Sequence, residues 1–230
     1  MAKTAVVLLS GGLDSSTVAY LAAKQDKCKI FPISFLYGQR HVHELVCAKK
    51  IAESLDTELK LVTVGLRGLV QSSLTGSSDI PVDGVQEGSI PSTWVPQRNS
   101  IFLSIAFAYA EGLGADLIYA GMNSIDYSGY PDCRPEFLKQ MEKSLNLASA
   151  RFIETGKGFG LIAPLIKMSK AEIVQKGQDL GVPWHFTWSC YKGPNELGQA
   201  CGLCDSCRLR LKGFQEAGYL DLLDYVERTN

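Results

Sequence analysis

The chain has 230 residues, 46% hydrophobic and 20% charged, enough to bury a core of its own, which excludes a disordered or fibrous chain. Lys and Arg total 23 against 24 Asp and Glu, for a formal net charge of −1. That balance excludes a sequence-wide affinity for nucleic acid or anionic membrane and leaves only a local basic patch open.

The longest apolar stretch, 101–110, is about half the ~20 residues of a membrane span, and Ser104 interrupts it. The N-terminal apolar run 5–9 is too short for a signal peptide. A cytoplasmic protein is therefore expected. Seven cysteines, an odd number, fit poorly with a disulfide framework, and four of them fall between 190 and 207, which points to metal.

Along the chain, strand and helix alternate. Residues 5–9 are a β-branched apolar run, as in a buried parallel strand. Residues 14–24 follow with Val18, Leu21 and Ala22 at helical spacing. Residues 28–36 read as a second strand. Residues 41–55 read as a helix with Leu45, Ala48, Ala52 and Leu55 on one face and Glu44, Lys49, Lys50 and Glu53 on the other. Residues 58–64 are a third strand. This β-α-β-α-β string predicts an open parallel sheet with right-handed crossovers. Residues 65–96 are rich in Gly, Ser, Pro and Asp and lack periodicity. They read as a lid or binding loop, or as an insertion with no role. Residues 99–112 are apolar nearly all round, predicting a buried helix, and 116–120 a fourth strand. A helix at 135–150, a short strand at 161–164 and a helix at 169–177 follow, the last capped by Ser169 with Glu172 placed for a capping box. From Trp184 the composition shifts to Cys, Gly and aromatics, closed by a helix near 207–217. The predicted fold is α/β: a doubly wound open parallel sheet at 1–183, with a four-cysteine zinc-binding region at 184–230 packed on it.

The first strand runs straight into Ser10-Gly11-Gly12-Leu13-Asp14-Ser15-Ser16 and then a helix. Glycines let backbone N–H groups approach a phosphate, and a helix N-terminus adds free donors and partial positive charge. No Gly-Lys-Ser/Thr closes the loop, and it is no G-x-G-x-x-G. Cys190, Cys201, Cys204 and Cys207 have the spacing C-x10-C-x2-C-x2-C. Four thiolates make a closed, structural zinc site, and an iron–sulfur cluster competes for the same ligands.

Ligands of doubly wound sheets bind beyond the carboxyl ends of the strands. Polar clusters fall there at 37–41, 95–99 and 121–134, with Lys167 after the fifth strand. Tyr127, Tyr130 and Phe137 offer stacking faces. Asp126 or Asp132 suits the donors of an amino-pyrimidinone edge. His41 and His43 read as polar contacts or surface rather than metal ligands.

The loop string resembles that of the PP-loop ATP pyrophosphatases. Ser-Gly-Gly-Leu-Asp-Ser at 10–15, Tyr-Gly-Gln-Arg-His at 37–41, Val-Pro-Gln-Arg-Asn at 95–99, Tyr-Ser-Gly-Tyr-Pro-Asp-Cys-Arg at 127–134 and the four cysteines together resemble the 7-cyano-7-deazaguanine synthase family of queuosine biosynthesis. Gln97 departs from the pattern, which implies Gly there. The resemblance implies an adenine nucleotide alpha hydrolase-like sheet and an ATP-dependent ligase. This would convert 7-carboxy-7-deazaguanine and ammonia to the nitrile through adenylated carboxylate and amide intermediates. Leu9, Ser10, Gly11, Gly12, Leu13, Asp14, Ser15, Ser16 and Thr17 would hold ATP with Mg²⁺. Asp14, Ser15, Arg98 and Lys167 would act in catalysis. Gln39, Arg40, His41, Asn99, Asp126, Tyr127, Tyr130, Asp132 and Arg134 would meet the substrate. One structural zinc per chain, a homodimer, and no direct contact with nucleic acid or membrane complete the expectation. Two other readings stand beside it: a tRNA thiolase of the same loop class carrying an iron–sulfur cluster, and a non-catalytic nucleotide-sensing zinc module.

Overall fold

The structure is a computed structural model that describes residues 2–76, 78–81, 90–123 and 130–226. Its strands are β1 (Thr4–Leu8), β2 (Lys29–Leu36), β3 (Lys60–Thr63), β4 (Leu117–Tyr119) and β5 (Gly160–Ile162). They form one sheet, all neighbours parallel, in the order β3-β2-β1-β4-β5. β1 lies at the centre, pairing Val6 with Phe31 and with Ile118. Both its faces are covered, which explains an apolar run without alternation. β3 is an edge, short and with Lys60 and Leu61 exposed.

The helices are α1 (Leu13–Tyr20), α2 (His43–Glu53), α3 (Arg98–Leu113), α4 (Pro135–Leu147), α5 (Ala150–Thr155), α6 (Lys170–Leu180) and α7 (Asp205–Glu216). Side chains alternate across a strand. Ala5 and Val7 therefore pack with Val18, Ala48, Ile51 and Ile173 from α1, α2 and α6. Val6 packs on the opposite face with Phe102, Ala106 and Phe107 of α3. The sheet is doubly wound, as predicted. Its chain path reverses direction between β1 and β4, and the crevice beyond their carboxyl ends is where such folds bind ligands.

Several elements differ from the sequence reading. α3 is not buried all round: Ser104 and Ala108 stay exposed, because the sheet covers one side only. The helix predicted at 135–150 breaks at Ser149, whose hydroxyl accepts from Phe152 N–H at 3.3 Å and starts α5. The Ser169–Glu172 capping box forms, with Ser169 N–H donating to Glu172 Oε2 at 2.7 Å. α6 runs past Gly177 to Leu180. Gly177 serves packing rather than termination, since a Cβ there would meet the Trp184 ring at 2.3 Å. In the segment 65–96, the described part is anchored: Leu66, Leu74, Thr93 and Val95 are buried, and Ser73 N–H donates to Ser92 O at 2.8 Å. Phe214 of α7 enters the core beside Val18 and Ile173, so the cysteine-bearing end packs on the sheet unit. Among the described residues no helix is long and apolar enough to cross a membrane.

Candidate active site

After β1 the chain turns through residues 9–12 into α1. Gly11 has φ +85°, a conformation that favours glycine. A Cβ there would stand 2.3 Å from the Glu44 carbonyl oxygen and 2.5 Å from the Ala48 amide nitrogen, so α2 closes directly on the loop. Within the turn, Ser15 Oγ accepts from Ser10 N–H at 3.1 Å and lies 2.9 Å from Ser10 Oγ, while Gly12 N–H donates to Ser10 Oγ at 3.3 Å. Ser16 N–H makes the first bond into the helix, to the Gly12 carbonyl at 3.1 Å. The amides of Leu13, Asp14 and Ser15 precede it and have no intrahelical acceptor. With the helix dipole they form a seat for an anion. Lys170, in the first turn of α6, donates to both oxygens of Asp14 at 2.9 Å and brings a cation to the same loop.

Gly11→Ala combines a strained φ with a clash against backbone that cannot rotate away. We expect loss of turnover by more than ~100-fold and a lower melting temperature, because the loop or α2 must shift. Gly65→Ala, with nothing within 4 Å of its Cβ, serves as the silent control. Assay and thermal melts of both variants check this, and wild-type turnover in Gly11→Ala would show that the loop's close approach to α2 is dispensable.

A cavity of about 320 Å³ opens at the carboxyl ends of β1, β2 and β4. The loop residues Ser10, Gly12, Asp14 and Ser15 form one wall. Tyr37, Glu44, Arg98, Asn99 and Tyr130 stand in the others. Arg98 donates to Tyr37 Oη at 3.4 Å, and its guanidinium lies 5.6 Å from the centre of the Tyr37 ring. Among the described residues no carboxylate forms an ion pair with it. Burial works against its charge, but the surrounding Tyr37, Tyr130 and Cys133 outweigh it and keep Arg98 protonated. Burial pushes the Glu44 carboxyl up to about 7 against the pull of Arg98, and the Cys133 thiol up to about 12. Burial also lowers His41. The cavity thus joins an anion seat to a half-buried cation that has no ion pair among the described residues.

The four cysteines bring their sulfurs within 4.8 Å of one another. Cys204 and Cys207 are 3.5 Å apart, and Cys201 and Cys207 3.9 Å. Thiolates at ~2.3 Å from one tetrahedral ion sit about 3.8 Å apart, so the set fits a single ion. A cluster that gives each thiolate its own iron needs wider spacing. Cys201 N–H donates to Cys190 Sγ at 3.4 Å and Cys204 N–H to Cys201 Sγ at 3.3 Å, bonds that orient the ligands and stabilise thiolate. Trp188, Leu223 and Tyr225 pack around the group. Trp188 N–H also donates to Gly11 O at 2.9 Å, tying the metal region to the phosphate loop.

The family model for "Queuosine biosynthesis protein QueC" matches residues 4–218. The chain belongs to the QueC family. A 7-cyano-7-deazaguanine synthase of Thermoplasma volcanium is 50% identical over 98% of this chain and 92% of its own length. Those of Trichodesmium erythraeum (51%, covering 95% of this chain and 99% of the relative) and Geotalea daltonii (50%, covering 100% and 99%) are equally similar. Among solved structures, the NMN synthetase of Francisella tularensis shares the fold at a TM-score of 0.52 and 16% identity, over 95% of this chain and 79% of that one.

In this QueC-family chain the structure gathers part of the residues expected from sequence. Leu9, Ser10, Gly12, Leu13, Asp14 and Ser15 line the cavity, as do Gln39, Arg40, His41, Arg98, Asn99 and Tyr130. Gly11, Ser16 and Thr17 stand behind the loop. Gly11 abuts α2, and Thr17 turns its hydroxyl to Leu13 O at 3.0 Å. Arg40 lines the mouth and donates to the carbonyls of Gly76, at 3.0 Å, and Ser78.

Three residues sit elsewhere than expected. Lys167 is exposed and off the cavity, and Lys170, three residues on, supplies the cation at the loop. Asp132 is 5% exposed and lies off the cavity at the start of α3, where its oxygens accept from Asn99 N–H at 3.0 Å and Trp94 Nε1–H at 3.2 Å. Arg134 is exposed and donates to Pro131 O at 3.1 Å. Asp126 and Tyr127 lie outside the described residues. Gln97, where the resemblance implies Gly, has φ +58°, so a side chain occupies a conformation that suits glycine. Sequence reasoning passed over Lys170 and Glu44. Lys170 was hidden by its place just after a capping serine. Glu44 was assigned to a solvent face, since helical periodicity does not distinguish solvent from a cavity.

Proposed function

We propose that this chain is an ATP-dependent carbon–nitrogen ligase that converts 7-carboxy-7-deazaguanine and ammonia to 7-cyano-7-deazaguanine. Relatives about half identical over nearly their whole length bear that activity as their name. The carrying observation is the opening of the phosphate loop and of half-buried Arg98, which has no carboxylate ion pair among the described residues, onto one cavity. ATP on the loop would present its α-phosphate to a substrate carboxylate held by Arg98. One carboxylate oxygen attacks that phosphorus, pyrophosphate leaves, and the carboxyl carbon gains AMP as its leaving group. Ammonia displaces AMP to give the amide. A second ATP activates the amide oxygen, and loss of AMP and protons gives the nitrile. The amides of residues 13–15 and Lys170 meet the charge that develops on the phosphates. ATP would enter as its Mg²⁺ complex, the metal would offset charge on the phosphates, and Asp14, the carboxylate beside the loop that Lys170 holds in the structure, would turn to meet it.

The ring of the substrate is read by the aromatic faces of Tyr37 and Tyr130 in this proposal, with Asn99, Gln39 and His41 as polar contacts. The four-cysteine ion is zinc and structural, a closed set that leaves no position for substrate. Its narrow sulfur spacing supports that identity over an iron–sulfur cluster. The thiolase and sensor readings are not favoured. The division into 1–183 and a packed 184–230, the homodimer, the cytoplasmic location and the lack of direct nucleic-acid contact remain parts of the same proposal.

The test is ATP turnover dependent on both the deazaguanine acid and ammonium, with the nitrile identified by mass spectrometry. A guanidinium grips a carboxylate in a fork that an ammonium does not reproduce. Arg98→Lys is therefore expected to raise KM for the acid by about 10-fold or more, equivalent to about 1.4 kcal/mol, and KM for ATP by far less. An unchanged KM for the acid would remove Arg98 from the carboxylate.

A further inference from the structure

Glu44 stands in the first turn of α2 and lines the cavity beside the phosphate loop. Its own carbonyl oxygen is the atom that a Cβ on Gly11 would strike, so its backbone is set against that loop. Among the described residues its carboxylate makes no hydrogen bond and no ion pair. Asp14, the other carboxylate of the cavity wall, is held on both oxygens by Lys170. The groups facing Glu44 are Arg98 from α3, Tyr37 from the end of β2 and Cys47 one turn along α2. Burial keeps Tyr37 and Cys47 neutral, which leaves Arg98 as the charge acting on it. Glu44 therefore lines the same cavity as the seat for phosphate and as Arg98, the cation for the substrate carboxylate.

We propose that Glu44 is the general base that prepares the nitrogen nucleophile, drawing an ammonium ion into the cavity and taking one of its protons. This rests on the ligase reading above. Ammonium gives a proton to a Glu44 carboxylate oxygen. The freed electron pair on nitrogen forms the C–N bond at the adenylated carboxyl carbon. The C–O bond to AMP breaks, AMP leaves with that pair, and the surplus proton on nitrogen passes to water. A carboxyl whose proton affinity is raised toward neutrality suits this transfer, because it holds the proton yet releases it between turnovers.

The experiment separates activation from amide formation in the full-length protein and in Glu44→Gln and Glu44→Asp. Acid-dependent exchange of pyrophosphate into ATP, without ammonium, reports adenylation alone. Amide formation is then followed with ammonium chloride from about pH 6 to 9. In Glu44→Gln, exchange should stay within about threefold of wild type while amide formation at neutral pH falls about 100-fold. The deficit should shrink as pH rises and free ammonia becomes abundant. The inflection near neutrality that Glu44 gives the wild-type profile should vanish in the Gln variant, whose rate then simply follows free ammonia, and an inflection should persist in the Asp variant, which retains a base. Wild-type amide formation by Glu44→Gln would overturn the assignment. Equal losses in exchange and amide formation would also overturn it, by assigning Glu44 to binding of the acid or of Mg-ATP. Absence of exchange in the wild type would sink the ligase reading itself.

Discussion

Cys204→Ser is expected to lose the bound ion and the structure of the C-terminal region together. The four sulfurs lie within 4.8 Å of one another, three of the cysteines are almost wholly buried, and Trp188, Leu223 and Tyr225 pack against them. Without a cation this group is a small knot of buried thiols with no strand or helix to hold Cys190 near the others. Binding energy at a closed four-ligand site is folding energy, on the order of 10 kcal/mol for an isolated zinc module. That compares with about 5–15 kcal/mol for the net stability of a whole domain. The damage should reach the cavity, since Trp188 N–H holds the Gly11 carbonyl. Elemental analysis should fall from about one zinc per chain in the wild type to none. Proteolysis should open the segment after residue 184. A variant that loses its zinc and keeps the wild-type melting temperature would show that the ion is not structural.

Asp221→Asn is expected to destabilise the protein by about 3 kcal/mol or more, because it strips the counterion from a buried guanidinium. The Arg210 and Asp221 side chains are 2% and 1% exposed, with Arg210 Nε donating to Asp221 Oδ2 at 2.8 Å and Nη2 to Oδ1 at 3.0 Å. Arg210 also donates to Thr187 Oγ1 at 2.8 Å, and Tyr225 Oη–H to Asp221 at 2.6 Å. The pair thus clamps α7 to the chain's last described turn. Burial alone raises the Asp221 carboxyl, but Arg210, by hydrogen bond and charge, holds it below the usual carboxylate range. Its folded value is depressed, so its contribution is present above the unfolded value of about 4. It is lost as pH falls through the folded value. Urea unfolding should therefore show a wide gap between wild type and variant at neutral pH, narrowing in acid. A gap that persists unchanged in strong acid would assign the loss to packing.

The sequence by itself determined the parallel sheet, the glycine turn that leads into α1 and the four-cysteine group. Each of these is written in neighbouring residues. An apolar run such as 5–9 needs cover on both faces wherever it sits. Ser-Gly-Gly-Leu-Asp-Ser makes its anion seat from the backbone of one turn and the helix after it. Three cysteines, each separated from the next by two residues, bring their sulfurs together by local geometry, with Cys190 left to close the set.

Only the tertiary structure decided which polar side chains stand in the cavity wall. Asp132 and Lys167 had the right chemistry and the right end of the sheet. Yet the carboxylate of Asp132 is taken up at the start of α3, a partner supplied by a residue 33 positions away. Lys170 reaches Asp14 across 156 positions, and Lys167, less than one helical turn earlier, stays exposed. Glu44 belonged by periodicity to the polar face of an amphipathic helix. The packing of α2 against Gly11 and the arrival of α3 with Arg98 turn that face into a wall of the site. A polar residue is suited by periodicity to water and to a cavity alike, and the choice between them is made by whatever other element arrives opposite it.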